Sequence, residues 1–215
     1  MAQCAMPLNI REIVAVAPVI PELTFTEIAS ALPVARALCA GGLRVLEISM
    51  RTAAGLACIE AIRKGLPEAI VGAGDLSRAV DFAAADRAGA QFGATPGLTP
   101  ELAAASRGAR FPVIPGVMTP TEVISARNSG FTVLKLYPAE QAGGVGILRA
   151  FGAVFPDVLF SVSGGIADTN AAEYLSLANV ACVAGSWVVP LSLLTQADWP
   201  GIEALARAAQ SLARS

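Results

Sequence analysis

Short, nearly unbroken apolar runs alternate with longer Ala- and Leu-rich stretches from end to end of the 215-residue chain. The runs at 18–23, 44–49, 69–74, 90–94, 111–115, 132–137, 158–162 and 180–185 predict strands buried on both faces. Segments such as 27–40, 53–64, 77–88, 99–107, 119–128, 144–153, 169–177 and 199–213 predict helices between them. Strands that alternate with helices imply a parallel sheet with right-handed crossovers. Successive strand ends lie roughly 20 to 28 residues apart, the span of a compact βα unit. No linker, low-complexity tract or composition shift divides the chain. The expected architecture is therefore one domain over residues 1–215, a (β/α)8 TIM barrel with a short N-terminal helical segment. The alternative is an open doubly wound sheet. Its dinucleotide fingerprint is poorly supported, because Gly72-Ala-Gly74 runs on into Asp75-Leu-Ser without a third glycine.

Composition sharpens this picture. The chain is 54% hydrophobic and 15% charged, as suits an element-dense α/β protein. A net charge of -2, with no basic block, gives no nucleic-acid footprint. The most membrane-like stretch, 180–194, carries Gly185, Ser186 and Pro190 and is shorter than the ~20 apolar residues a spanning helix needs. Arg11 and Glu12 interrupt the first apolar stretch, which speaks against a signal peptide. The expectation is a cytoplasmic protein with no membrane partner. Histidine is absent, which removes histidine triads and the usual zinc ligand sets. Acid–base work falls to carboxylates, lysine, tyrosine or water. Cys4, Cys39, Cys58 and Cys182 lack metal-like or redox-like spacing and read as small buried hydrophobes.

The chain has only two lysines, and Lys135 lies inside the apolar run Phe131-Thr-Val-Leu-Lys-Leu-Tyr-Pro138. A buried ammonium must be paired or neutralised. Arginine serves a structural ion pair better, whereas lysine is able to become a neutral amine nucleophile and form a Schiff base. The plain alternative is a lysine whose stem packs in the core while its head reaches water or pairs with Glu140. Period-two alternation puts Glu47 and Arg51 on the face of Val45 and Ser49, and Lys135 on that of Val133 and Tyr137. If both faces point inward, a carboxylate, a guanidinium and an amine meet at the barrel mouth. They form either a buried salt bridge or a site for a keto acid, with the guanidinium holding the substrate carboxylate. An unperturbed lysine is only about one part in a thousand neutral near pH ~7.4. Desolvation and Arg51 would lower the Lys135 pKa, and Glu47 would raise it. The other unusual residues also fall at predicted strand ends, where a barrel builds its active site: Gly74-Asp75, Thr95-Pro96, Pro115-Gly116, Ser163-Gly164-Gly165 and Gly185-Ser186. The last two, after the seventh and eighth strands, suit a phosphate.

The stretches Ala40-Gly-Gly-Leu-Arg-Val-Leu-Glu47-Ile-Ser-Met-Arg51-Thr52, Ile70-Val-Gly-Ala-Gly74, Thr95-Pro-Gly-Leu-Thr99, Lys135-Leu-Tyr-Pro-Ala-Glu140, Ser163-Gly-Gly-Ile166 and Gly185-Ser-Trp-Val-Val-Pro190 carry a resemblance over nearly the whole chain. It resembles the class I aldolases of 2-keto-3-deoxy-6-phosphogluconate (KDPG) and 4-hydroxy-2-oxoglutarate (KHG). The resemblance implies a homotrimeric TIM barrel that splits KDPG into pyruvate and glyceraldehyde 3-phosphate, and KHG into pyruvate and glyoxylate, with no cofactor and no metal. Lys135 would be the Schiff-base lysine, Glu47 the general acid/base, and Arg51 the carboxylate ligand. Asp75, Thr95, Pro96, Ser163, Gly164, Gly165, Gly185 and Ser186 would complete the substrate site, the phosphate on the glycines and Ser186. Three positions depart from the family's pattern. Ser163 stands where threonine is usual. Glu22 stands where the first strand tends to be apolar, adding a charge near the mouth. Asp75 replaces a threonine that helps bind the carboxylate, and would repel the substrate and compete for Arg51. An aldolase for another 2-keto acid, or a non-catalytic phosphosugar-binding barrel, are the competing readings.

Overall fold

The computed structural model describes residues 9–212. Along the chain run α1 (Ile10–Ala15), β1 (Val19–Leu23), α2 (Ala31–Ala40), β2 (Val45–Ser49), α3 (Gly55–Gly65), β3 (Ile70–Gly74), α4 (Ala79–Arg87), β4 (Phe92–Ala94), α5 (Pro100–Gly108), β5 (Val113–Ile114) and β6 (Gly116–Val117). They continue with α6 (Pro120–Asn128), β7 (Val133–Leu136), α7 (Ala139–Ala142), α8 (Gly144–Val154), β8 (Leu159–Ser163), α9 (Ala171–Leu175), β9 (Val180–Gly185), α10 (Leu191–Thr195) and α11 (Trp199–Gln210). Every strand pair is parallel, in the order β5-β4-β3-β2-β1-β9-β8-β7-β6.

The two ends of that order are consecutive in the chain. Only Pro115 separates β5 from β6, so the expected fifth strand, 111–115, is a broken strand that serves both neighbours. Its first half pairs with β4 and its second half with β7. The Pro115 carbonyl accepts a hydrogen bond from the Lys135 backbone N–H at 2.8 Å and carries the ladder across the break. Proline has no N–H to give, which is why the strand splits there. The sheet thus closes as an eightfold βα barrel, as expected. The short helices α7 and α10, absent from the sequence reading, are additions within the loops after β7 and β9.

Alternation in each strand sorts the core into two shells. Outward residues such as Leu46, Val71, Leu134, Phe160 and Val183 pack against the helices. Inward residues Ile20, Val45, Phe92, Ala94, Ile114, Val133 and Cys182 fill the barrel, joined by Ile13 and Val14 of α1. The expected N-terminal helical segment is therefore a plug for the barrel floor. It is pinned by a capping box, with Glu12 N–H donating to Asn9 Oδ1 at 3.0 Å and Asn9 N–H to Glu12 Oε2 at 2.8 Å. Cys58 and Cys182 are buried and Cys39 half-buried, while Cys4 lies outside the described residues.

The interior is packed to its limit beside β3. A Cβ added to Gly72 would come within 2.3 Å of the Phe92 ring, which occupies the space a side chain would need. Gly72→Ala is therefore expected to destabilise the fold by ~1–3 kcal/mol through overpacking, seen as a lowered melting temperature by circular dichroism. An unchanged melting temperature would show that the Phe92 ring yields freely.

Candidate active site

Because all strands are parallel, their C-terminal ends gather at one rim, and the inward faces turn from apolar to polar as they approach it. Above the layer of Ile20, Val45, Val133 and Cys182 lie Glu22, Glu47, Ser49, Lys135 and Ser163. Lys135 reaches across the barrel from β7. Its Nζ donates to Glu47 Oε1 at 2.7 Å and to Glu22 Oε1 at 2.9 Å. Glu22 and Glu47 are in register on adjacent strands β1 and β2. Two carboxylates facing each other across a ladder repel, and the ammonium between them is what makes the arrangement tenable. The Ser163 hydroxyl, at the end of β8, donates to the same Glu22 oxygen at 2.8 Å. A Cβ on Gly74 would lie 2.4 Å from Glu47 Oε1, so the glycine clears the space the carboxylate occupies.

Burial governs the protons here. It pushes the Glu47 carboxyl up to about 7; Lys135 pulls it down, and the Glu22 and Asp75 charges add to the rise. Burial alone would lower the Lys135 pKa, but Glu47 and Glu22 outweigh it and hold the amine above its ordinary range. The balance left open in the sequence thus tips toward an ammonium at rest, and a nucleophile must be made by passing a proton to a neighbouring carboxylate. The plain alternative pairing with Glu140 is not found. Glu140 instead bonds the Tyr174 hydroxyl and, at 3.4 Å, Asn170 Nδ2, tying the loop after β7 to α9.

The cleft around Lys135 is lined by Glu22, Glu47, Ser49, Arg51, Asp75, Thr95, Pro96 and Tyr137. Arg51 lies in the turn after β2. Its Nε contacts Asp75 Oδ2 at 2.9 Å and Ser49 Oγ at 3.0 Å, and its Nη2 donates to Thr24 Oγ1 at 3.2 Å. The Ser49 hydroxyl donates to Asp75 Oδ2 at 2.5 Å. Asp75 thus does compete for Arg51, in a pair that remains open to solvent, with side chains 67% and 32% exposed. Asp75 also adopts φ 58, a left-handed conformation that Asp and Asn tolerate and β-branched residues resist. The Thr95 hydroxyl accepts from Gly116 N–H at 3.2 Å, binding the rim of β4 to that of β6.

Of the remaining expected residues, Gly164 (φ 97) and Gly165 (φ 82) need their left-handed backbone, and a Cβ on either would strike Pro138 or Glu140. Gly185 lies under the Trp187 ring, and Ser186 lines an adjoining groove that shares Glu22 and Arg51 with the cleft. The structure therefore brings Lys135, Glu47, Arg51, Asp75, Thr95 and Pro96 into one cleft, joins Ser163 to it through Glu22, and places the glycine loops and Ser186 at its border. Ser49 and Tyr137 were absent from the expected site, and Glu22 was expected only as an added charge near its mouth. The alternation Ile20–Pro21–Glu22 held the signal, since it sets Glu22 on the inward face beside Glu47.

Comparisons with known proteins point to one family. The sequence profile of the family described as KDPG and KHG aldolase matches residues 10–205. A 2-dehydro-3-deoxy-phosphogluconate aldolase of Pseudoalteromonas atlantica is 43% identical over 192 residues, 89% of each chain. A KHG/KDPG aldolase of Escherichia coli K12 is 42% identical over 192 residues, 89% of this chain and 90% of that one. The crystal structure of the Legionella pneumophila KDPG aldolase, with pyruvate captured as a covalent carbinolamine, superposes with a TM-score of 0.91 at 39% identity, covering 94% of this chain and 98% of that one. The chain belongs to the KDPG and KHG aldolase family.

Proposed function

We propose that this protein is a class I aldolase that cleaves KDPG to pyruvate and glyceraldehyde 3-phosphate, and KHG to pyruvate and glyoxylate. The observation that carries the reading is a lysine sealed in the barrel mouth with a carboxylate of raised pKa on its nitrogen. A lysine Nζ adds to the C2 ketone and water is lost, leaving an iminium. Glu47 takes the C4 hydroxyl proton. The electrons of the C3–C4 bond flow into the iminium, the aldehyde departs, and the enamine left behind is protonated at C3 and hydrolysed to pyruvate. Arg51 holds the substrate carboxylate, beside Thr95 and Pro96. The loops at Ser163-Gly164-Gly165 and Gly185-Ser186 offer backbone N–H groups to the phosphate. The catalytic unit is the single barrel; we place it in the cytoplasm and, on the family resemblance, as a homotrimer. Among the described residues, no helix is long and apolar enough to cross a membrane.

A second reading, in which the preferred keto acid is a different one, draws on Asp75. A carboxylate already bound to Arg51 stands where the substrate carboxylate is to bind.

The first reading is tested by following pyruvate release from KDPG. Wild-type protein is expected to turn over, Lys135→Ala to be inactive, and Glu47→Gln to lose ~10²–10⁴-fold in kcat. Turnover by Lys135→Ala would overturn the reading, and wild-type turnover of another keto acid only would favour the second.

The charge of Asp75 generates a separate expectation. Since kcat/KM reports the free enzyme and Glu47 must be ionised to accept a proton, kcat/KM should rise with pH through about 7 rather than near an ordinary glutamate's 4.5. Asp75→Asn keeps the left-handed turn and removes one of the charges that raise Glu47. It should move that limb to lower pH and lower the KM for the keto acid by ~5-fold, the ~1 kcal/mol scale of a partly exposed ion pair. An unmoved limb with unchanged KM would show that Asp75 does not act on the site.

A further inference from the structure

The hydrogen bonds on Lys135 raise a question of proton count. Imine formation at an ammonium, R–NH3⁺ + O=CR′2 → R–NH⁺=CR′2 + H2O, forms a C–N bond and breaks the C–O bonds of the ketone. It moves two protons from nitrogen to the departing oxygen and leaves one behind. In this structure two of the ammonium's protons are directed at two different carboxylates, Glu47 and Glu22. We propose that Glu22 is a second catalytic acid–base residue, which takes one of these two protons and returns it to the leaving water while Glu47 handles the other. The assignment rests on the aldolase reading above and deepens it.

The two carboxylates are differently placed for this work. Glu47 is closed off, its side chain 5% exposed, whereas that of Glu22 is 28% exposed and borders both the Lys135 cleft and the groove toward Ser186. Glu22 is therefore the group on the nitrogen that opens toward solvent, on the side where water must leave during imine formation and enter during hydrolysis. Its position is fixed by the Ser163 hydroxyl, which donates to the very oxygen that faces Lys135. The sequence of transfers balances as follows. One carboxylate deprotonates the ammonium, the amine attacks the carbonyl carbon, and the resulting alkoxide takes that proton to give a carbinolamine whose nitrogen carries two protons and a positive charge. The second carboxylate removes one proton from this nitrogen and delivers it to the hydroxyl. The nitrogen lone pair then expels water, and both carboxylates are again ionised. Two acceptors already in contact with the nitrogen carry out both transfers without either side chain turning. Once the iminium forms, with its single N–H, one carboxylate is released from the nitrogen, which leaves Glu47 free for the C4 hydroxyl.

A mere counter-ion and a proton carrier predict opposite signs. Were Glu22 only a charge that holds Lys135 protonated, its loss would make the neutral amine more available and speed imine formation. The test mixes full-length protein with pyruvate, quenches with borohydride at timed intervals, and reads the reduced adduct by intact mass at one fixed pH. Glu22→Gln keeps an oxygen to accept from Lys135 and Ser163 but cannot take a proton. Its trapping rate is expected to fall by ~10²-fold, the lower end of what a positioned acid–base group contributes. Glu22→Asp, which restores a carboxylate on a shorter arm, should recover part of that loss. A Glu22→Gln rate equal to or above wild type, or a Glu22→Asp rate no better than that of Glu22→Gln, would overturn the assignment while leaving the aldolase reading intact. Failure of the wild type to form any adduct would overturn both.

Discussion

Three charges at one end of a barrel, two buried and one partly open to solvent, set the terms for the rest of this molecule. Glu22 and Glu47 face each other on adjacent strands, and both pair with Lys135, which arrives from the far side of the barrel. Leaving Glu47 buried without its partner would be costly, of the order of several kcal/mol. The register of β1 against β2, the closure of the barrel through the broken strand at Pro115, and the glycine that clears space for Glu47 all bear on whether that lysine reaches its two acceptors. Buried ion pairs contribute little to stability compared with apolar packing of the same volume. On the aldolase reading, the arrangement would keep an amine charged until a substrate arrives and supply acceptors for the protons it must then lose.

Much of this was legible in the sequence because alternation and strand ends are local signals. Lys135 in an apolar run, Glu47 and Ser49 on one face, and glycine-bearing loops at two strand ends needed no tertiary information. The broken fifth strand was not legible, since Pro115 reads equally well as the end of one strand. Glu22 was visible as a charge near the mouth, but its meaning depends on the register of β1 with β2 and on the reach of a lysine more than a hundred residues away, both properties of the closed barrel. Glu140, a plausible lysine partner by sequence proximity, turns the other way because α9 presents Tyr174 and Asn170 to it.

The rim carries a different kind of charge. Arg51 and Asp75 form a pair open to solvent, bridged by Ser49, and such pairs are weak and easily exchanged. A substrate carboxylate competing for the guanidinium would face a modest penalty rather than a blocked site. On the aldolase reading, the cleft joins a desolvated centre, where bonds would be made, to an adaptable edge, where the donor acid would be recognised. That division locates any change of keto-acid preference at Asp75 and any change of chemistry at Lys135 and its carboxylates.

Schiff-base chemistry requires the Lys135 nitrogen to become covalently joined to the keto acid. The most direct measurement is to incubate the protein with pyruvate, reduce it with borohydride and map the modified peptide by mass spectrometry. A single adduct is expected, on Lys135 and not on Lys64, the other lysine of the chain. A folded protein that remains unlabelled, or that is labelled elsewhere with Lys135 intact, would contradict it.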